Sequence, residues 1–126
     1  MNVVDSSGWL EYFTDGANAD AFKPLIADEA NLIIPTVCLY EVFKITLARA
    51  GEDEAVRVAG LMSFGQIIDF NREVALAAAP ISTQYKLAMA DSVIYATAQM
   101  HTATLWTQDA HFKDLPGVQY VEKKPA

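Results

Sequence analysis

Short apolar runs alternate along the chain with longer segments in which apolar residues recur at helical spacing. The runs predict strands at 2–4, 32–34, 66–70, 104–106 and 118–121. The longer segments predict helices at 6–14, 18–28, 36–49, 52–63, 72–85 and 88–101. Strands that alternate with helices form βαβ units with right-handed crossovers. The pattern therefore predicts an α/β fold with three layers, α/β/α, around a central and mainly parallel sheet.

Residues at the helix ends support these boundaries. Thr36 and Asn71 are predicted to cap the helices that follow them, because their side chains can accept a hydrogen bond from a free backbone N–H. Gly51 is predicted to close the helix at 36–49. Pro24 and Pro80 fall inside predicted helices, where a proline removes a hydrogen bond, so we expect a kink or a break at each.

Length and composition indicate a globular protein. The chain has 126 residues, of which 52% are hydrophobic and 20% charged, which suits one domain over 1–126 with a single core. No apolar run reaches the roughly 18 residues of a membrane span, and no basic region followed by a long apolar one marks a secretory signal. Cys38 is the only cysteine, so an internal disulfide is excluded, and we expect a buried thiol in a cytoplasmic protein.

The formal net charge of −7 argues against nucleic-acid binding through a basic surface. It leaves room for a nucleic-acid enzyme whose carboxylates gather around a metal ion. Lys44, Lys86 and Lys113 are the basic residues nearest the predicted site, and the sequence does not show how a nucleic acid is held.

Four acids occupy positions that favour a shared site. Asp5 and Asp109 follow strands 2–4 and 104–106, where ligands bind in open α/β sheets, and Ser6 adds a hydroxyl beside Asp5. Glu41 and Asp91 lie on apolar helical stripes, where an unpaired carboxylate is costly. Four converging carboxylates need a hard cation such as Mg²⁺ or Mn²⁺. No Cys-x-x-Cys or His-x-x-x-His pair predicts a zinc site.

Each acid also has an ordinary structural explanation that the sequence leaves open. These explanations are Asp5 or Ser6 as a helix cap, Asp91 as the cap of a helix from Ser92, Glu41 as an i,i+3 partner of Lys44, and Asp109 as a turn residue.

Other conspicuous side chains have simpler predicted roles. His101 and His111 are predicted to be solvated or to support ligands rather than to be ligands themselves, and Asp69 and Asp114 to be structural. Aromatic residues are predicted to lie first in the core, with a partner-binding groove as the alternative. They are Trp9, Tyr12, Phe13, Tyr40 and Phe43.

Four segments then occur in a specific order. They are VVDSS at 3–7, Glu41 in a helix after Pro-Thr, ADSVIYATA at 90–98 and LWTQDAHF at 105–112. This order resembles the PIN-domain ribonucleases, and specifically the VapC toxins of bacterial and archaeal toxin–antitoxin modules. The resemblance runs from residue 2 to about residue 121, and Pro80 departs from it by interrupting a helix that is usually continuous.

The resemblance implies a PIN fold and an acidic quartet that binds Mg²⁺ or Mn²⁺. The quartet would fall on Asp5, Glu41, Asp91 and Asp109, with accompanying hydroxyls on Thr107 and Ser6. The implied activity is metal-dependent endoribonuclease cleavage of tRNA or other structured RNA. The implied partners are a second copy of the chain and a VapB-type antitoxin whose C-terminal segment enters the groove beside the site.

Two other functions remain possible from the sequence. A PIN domain that has lost its nuclease activity would be a binding module. A phospho-accepting receiver domain would use Asp5 for metal and Asp69 as the phosphoacceptor, but it gives Glu41 and Asp91 no role.

Overall fold

Five short strands form one parallel sheet in a computed structural model that describes residues 1–125. The strands are β1 (Asn2–Val4), β2 (Leu32–Pro35), β3 (Gln66–Ile68), β4 (Thr104–Thr107) and β5 (Val118–Tyr120). Val3 and Val4 and all of β2 are buried, as expected for parallel strands covered on both faces. The predicted α/β/α fold with a central parallel sheet is confirmed.

Six helices join the strands. They are α1 (Ser6–Phe13), α2 (Ala19–Ala27), α3 (Thr36–Ala50), α4 (Glu52–Met62), α5 (Arg72–Tyr85) and α6 (Met89–Met100). Short 3₁₀ turns at Glu29–Asn31 and Ala110–Phe112 precede β2 and follow β4. The predicted boundaries agree within about two residues, the usual uncertainty of a helix end.

The strand order is β3-β2-β1-β4-β5, so the first strand lies in the middle of the sheet. β1 pairs with β2 on one side and with β4 on the other, with Val4 opposite Trp106. The backbone N–H of Asp5 continues this pairing by donating to the carbonyl of Trp106 at 3.1 Å. The strands β2 and β3 are added on one side of β1, and β4 and β5 are added on the other side, so the strand order reverses between β1 and β4. A ligand site is expected beyond the carboxyl ends of the strands at such a switch point.

Some local predictions need correction. Thr36 does not cap α3, because Pro35 holds the cap position and the Thr36 hydroxyl instead accepts the backbone N–H of Phe70 at 3.1 Å. Pro24 and Pro80 lie inside α2 and α5, which continue through them, so a break at either proline is wrong, and a kink there stays a prediction. The caps predicted at Gly51 and Asn71 are confirmed.

A close approach fixes α1 against the sheet. A Cβ on Gly8 would lie 2.6 Å from Val4 Cγ1 and 2.8 Å from Phe22 Cε1. Real Cβ atoms do not approach so closely, and Val4 and Phe22 are both fully buried. Only glycine therefore lets the start of α1, which follows Asp5 directly, pack this near to β1 and α2.

The aromatic residues divide between the core and the surface. Trp9 is buried, Tyr12, Phe13 and Phe43 are partly buried, and Tyr40 is 62% exposed, so the core prediction is wrong for Tyr40. The Cys38 thiol is buried, as predicted. Across residues 1–125, no helix is both long enough and apolar enough to span a bilayer.

Candidate metal-binding site at the sheet switch point

Asp5 lies at the end of the middle strand and is only 3% exposed. Its Oδ1 accepts hydrogen bonds from the Ser7 hydroxyl at 2.7 Å and the Gly8 backbone N–H at 3.1 Å. Its Oδ2 accepts the Thr107 hydroxyl at 2.8 Å. Asp5 therefore caps α1, which was one of its ordinary explanations, and it also reaches across to the residue that ends β4.

Burial raises the pKa of the Asp5 carboxyl from its ordinary 3.8 to about 6. Hydrogen bonds from Ser7, Thr107 and Gly8 lower this pKa, and the charge of Asp109 raises it. The desolvation of the carboxylate outweighs its three donors, because no positive charge within the described residues compensates for its burial. A cation bound here would remove that penalty.

Thr107 connects the acids that follow the two adjacent strands. Its buried hydroxyl donates to Asp5 and accepts the backbone N–H of Asp109 at 2.8 Å. Asp109 Oδ1 in turn accepts the backbone N–H of His111 at 2.9 Å, so Asp109 also shapes the turn after β4, as its ordinary explanation predicted. One hydroxyl thus fixes the turn carrying Asp109 relative to Asp5.

Glu41 joins the site through Ser6. The Ser6 hydroxyl donates to Glu41 Oε1 at 2.6 Å, which ties α3 to the start of α1. The expected ion pair with Lys44 is not present among residues 1–125, and the Lys44 ammonium lies 5.8 Å from the centre of the Tyr40 ring. Glu41 therefore faces the site rather than a neighbouring lysine.

Asp91 lies in the first turn of α6, which begins at Met89. The explanation of Asp91 as the cap of a helix from Ser92 is therefore wrong. Partial burial raises the pKa of Asp91, and the charges of Asp109 and Glu41 raise it further, while His111 lowers it. Asp91 therefore lies close enough to Asp109 and to Glu41 for their negative charges to disfavour its ionisation.

His111 is the residue whose position the sequence did not foresee. Its Nδ1 lies 3.3 Å from Asp109 Oδ1 and 3.5 Å from Asp91 Oδ2, and one atom of each of the three residues lies within 4.8 Å of the others. Asp5 and Glu41 are not part of that group. The signal in the sequence was the two-residue spacing from Asp109, which the 3₁₀ turn converts into proximity. His101, by contrast, has its Nδ1 against the Thr97 carbonyl at 2.8 Å.

A buried polar network behind Asp5 was also missed. The Asn18 amide donates to Gln108 Oε1 at 3.0 Å and to the Glu122 carbonyl at 2.9 Å. The backbone N–H of Gln108 is 3.3 Å from the Ser7 hydroxyl that supports Asp5. No motif marks these residues, because an asparagine before a helix and a glutamine after a threonine are ordinary in sequence.

Carboxylates that converge at one edge of a parallel sheet define an α/β domain with an acidic site. Carboxylate oxygens are ligands that suit a divalent cation. The chain belongs to the PIN domain family, whose model matches residues 3–118. No curated protein matches the chain.

Solved structures with the same fold include several toxins. A toxin–antitoxin complex from Klebsiella pneumoniae is 26% identical, with a TM-score of 0.78 over 94% of this chain and 96% of that one. The sarcin–ricin loop cleaving toxin VapC20 of Mycobacterium tuberculosis is 18% identical, with a TM-score of 0.75 over 99% and 100%. VapBC2 from Rickettsia felis, bound to a promoter DNA fragment, is 16% identical, with a TM-score of 0.75 over 96% and 98%.

Proposed function

We propose that this protein is a divalent-metal-dependent endoribonuclease, the VapC toxin of a VapBC module, formed by a single PIN domain over 1–126. Its substrate would be tRNA or another structured RNA. The observation that carries the proposal is the Thr107 hydroxyl, which joins Asp5 and Asp109 at the switch point beside Asp91 and Glu41. We also propose a cytoplasmic location, which rests on the sequence alone.

In this proposal Asp5, Asp91 and Asp109 hold Mg²⁺ or Mn²⁺, and Glu41 is a further ligand or the proton acceptor. The bound ion supplies positive charge for the phosphate and lowers the pKa of a coordinated water. Ser6 orients the Glu41 carboxylate, and Thr107 orients Asp5. The raised pKa values of Asp5 and Asp91 support this assignment, because perturbed carboxyls gather at functional sites.

The receiver-domain alternative is wrong. Receiver domains have the strand order 2-1-3-4-5, whereas this sheet has the order 3-2-1-4-5. Asp69, the phosphoacceptor in that alternative, follows β3 at the edge of the sheet, two strands away from β1. The match to the PIN family also covers nearly the whole chain. The non-catalytic binding module remains as the second candidate.

A VapB-type antitoxin is proposed to enter the groove beside the acidic site with its C-terminal segment and to cover, away from that site, an apolar hollow of about 370 Å³ beside α1. Trp9, Tyr12 and Phe13 line it from one side, and Phe64, which is 68% exposed, from the other. The indole N–H of Trp9 is buried and has no acceptor among residues 1–125. That N–H lies below the surface, and an extended peptide over the hollow would instead cover the exposed Phe64 ring and the partly exposed rings of Tyr12 and Phe13.

A homodimer is proposed through a different face. Phe70 and Met89 are exposed, with 69% of Met89 accessible, and they line an apolar hollow between α5 and α6.

Light scattering is expected to give twice the chain mass of 13.8 kDa. Met89→Glu is expected to give a monomer, and Phe64→Glu a dimer that no longer binds a VapB-type antitoxin. A monomeric wild type would contradict the proposed homodimer. Antitoxin binding by Phe64→Glu would contradict the apolar hollow beside α1 as an antitoxin site.

Cleavage of total RNA by purified, antitoxin-free protein tests the nuclease proposal. We expect discrete RNA fragments in Mg²⁺ or Mn²⁺, and no fragments in EDTA or with the Asp109→Asn variant. Asparagine keeps a side-chain acceptor for the backbone N–H of His111 and removes the negative charge. The matched control is Asp114→Asn, because Asp114 lies outside the site and asparagine tolerates its positive φ of 68°. Absence of both cleavage and Mn²⁺ binding in the folded wild type would favour the binding module.

A further inference from the structure

We propose that His111 contributes a nitrogen ligand to the ion held by Asp91 and Asp109, and that this ligand makes the site prefer Mn²⁺ to Mg²⁺. The inference rests on the proposed function, because it concerns the same ion. It goes further by assigning a residue outside the acidic quartet and by stating which metal the site selects.

The spacing of the three side chains carries the inference. His111 Nδ1 lies 3.3 Å from Asp109 Oδ1 and 3.5 Å from Asp91 Oδ2. Both separations exceed the usual 2.7–3.2 Å of an N–H···O hydrogen bond. Neighbouring ligands of an octahedral ion with bonds of about 2.1 Å lie about 3.0 Å apart. The two separations lie between this spacing and the about 4.2 Å of opposite ligands around such an ion, and all three atoms lie within 4.8 Å of one another, so one ion can reach all three.

The backbone beneath His111 is held in place even though the imidazole is 74% exposed. Its N–H donates to Asp109 Oδ1, and the N–H of Asp109 donates to the Thr107 hydroxyl. The next residue, Phe112, is fully buried in the main core. The 3₁₀ turn therefore holds the imidazole at the exposed edge of the site, beside Asp91 and Asp109. The backbone is already ordered there, so little conformational freedom is lost when an ion binds.

The chemistry of the donor decides the selectivity. Mg²⁺ is a hard ion that prefers oxygen ligands and retains its waters. Imidazole nitrogen best suits Zn²⁺, Cu²⁺, Fe²⁺ and Ni²⁺, and Mn²⁺, at the weak-binding end of that transition-metal series, still accepts it more readily than Mg²⁺ does. A site with two carboxylates and an imidazole should therefore gain affinity for Mn²⁺ from His111 and gain almost none for Mg²⁺. A histidine that only balanced charge would instead act on both ions alike, because Mg²⁺ and Mn²⁺ carry the same charge.

The test compares metal binding by the full-length wild type and His111→Ala, with His101→Ala as the matched control. His101 has its Nδ1 against a helix carbonyl, outside the group formed by Asp91, Asp109 and His111. Titration calorimetry is expected to show Mn²⁺ affinity falling at least about 10-fold in His111→Ala, with Mg²⁺ affinity unchanged within about 3-fold. Pulsed electron paramagnetic resonance is expected to show ¹⁴N coupling to Mn²⁺ that only this variant loses.

The outcomes separate this inference from the nuclease proposal. Equal changes in Mn²⁺ and Mg²⁺ affinity, or ¹⁴N coupling that survives in His111→Ala, would overturn the role of His111 and leave the proposed nuclease standing. RNA cleavage that needs no ion, by a wild type that binds none, would overturn both. Melting of each variant in EDTA checks that the substitution has not unfolded the protein.

Discussion

Asp5→Asn is expected to raise the free energy of unfolding of the metal-free protein at neutral pH by up to about 3 kcal/mol. The pKa of the Asp5 carboxyl is raised from 3.8 to about 6 in the folded protein, and each unit corresponds to about 1.36 kcal/mol. Asparagine keeps the acceptor for Ser7 and Gly8 and removes the buried charge. The Thr107 hydroxyl can turn to accept from the new amide.

The sign of the pH dependence follows from the same shift. A raised pKa means that the folded protein binds the Asp5 proton more tightly than the unfolded chain does. Below about pH 4, Asp5 therefore neither adds to nor subtracts from the free energy of unfolding through this shift. Between about pH 4 and pH 6, it lowers the free energy of unfolding by an increasing amount. The stability difference between Asp5→Asn and wild type should appear across that range and stay constant above it.

Denaturant unfolding in EDTA at several pH values between 4 and 8 measures this difference. Asp114→Asn serves as the control, and its difference from wild type should stay near zero throughout. A variant that is less stable than wild type at pH 7 would mean that the hydrogen bonds to the carboxylate outweigh its burial. The same variant should lose RNA cleavage, so one substitution is expected to stabilise the fold and abolish activity.

Saturating Mn²⁺ is expected to raise the melting temperature of the wild type by about 8–13 °C. Binding only to the folded state adds about 2.7 kcal/mol at an ion concentration 100-fold above Kd, and a domain of this size gains about 3–5 °C per kcal/mol. Asp91→Asn should abolish most of this shift. It should also lower the rate of RNA cleavage at least about 100-fold, because loss of a partner that merely orients a ligand already lowers activity 10–100-fold.

Asp53→Asn is the matched control for Asp91→Asn. Both acids lie in the first turn of a helix, α4 for Asp53 and α6 for Asp91, so the loss of a favourable interaction with the helix dipole is common to both variants. Asp53 is exposed between Glu52 and Glu54, whereas Asp91 is partly buried beside the site acids Asp109 and Glu41. An Mn²⁺ shift of wild-type size in Asp91→Asn would show that the ion does not bind at this carboxylate.

The sequence predicted the features that depend on local patterns. Short apolar runs gave the five strands, and acids at strand ends or on apolar helical stripes gave Asp5, Asp109, Glu41 and Asp91 as candidates. Each of these signals lies within a few residues of chain. The structure places the four acids near one another, and their roles as ligands stay predictions.

The features that were missed depend on contacts between distant segments. The Thr36 hydroxyl accepts an N–H from Phe70 rather than capping its own helix. Asn18 binds Gln108 across 90 positions of sequence. His111 reaches Asp91 only because β4 and α6 pack together. Tertiary packing selected one partner where the sequence alone left several equivalent.

The central pairing of β1 with β4 has a consequence for synthesis. Four helices and two strands are synthesised between α1 and α6 on the chain that separates β1 from β4, and a hydrogen bond that spans 102 positions joins the residues at the ends of these two strands. A ribosome-bound chain has made α1 through α6 before the strand that completes the acidic cluster emerges. Every nascent chain that stops short of β4 therefore lacks the hydrogen bond that joins Asp5 to Thr107 and, through it, to Asp109.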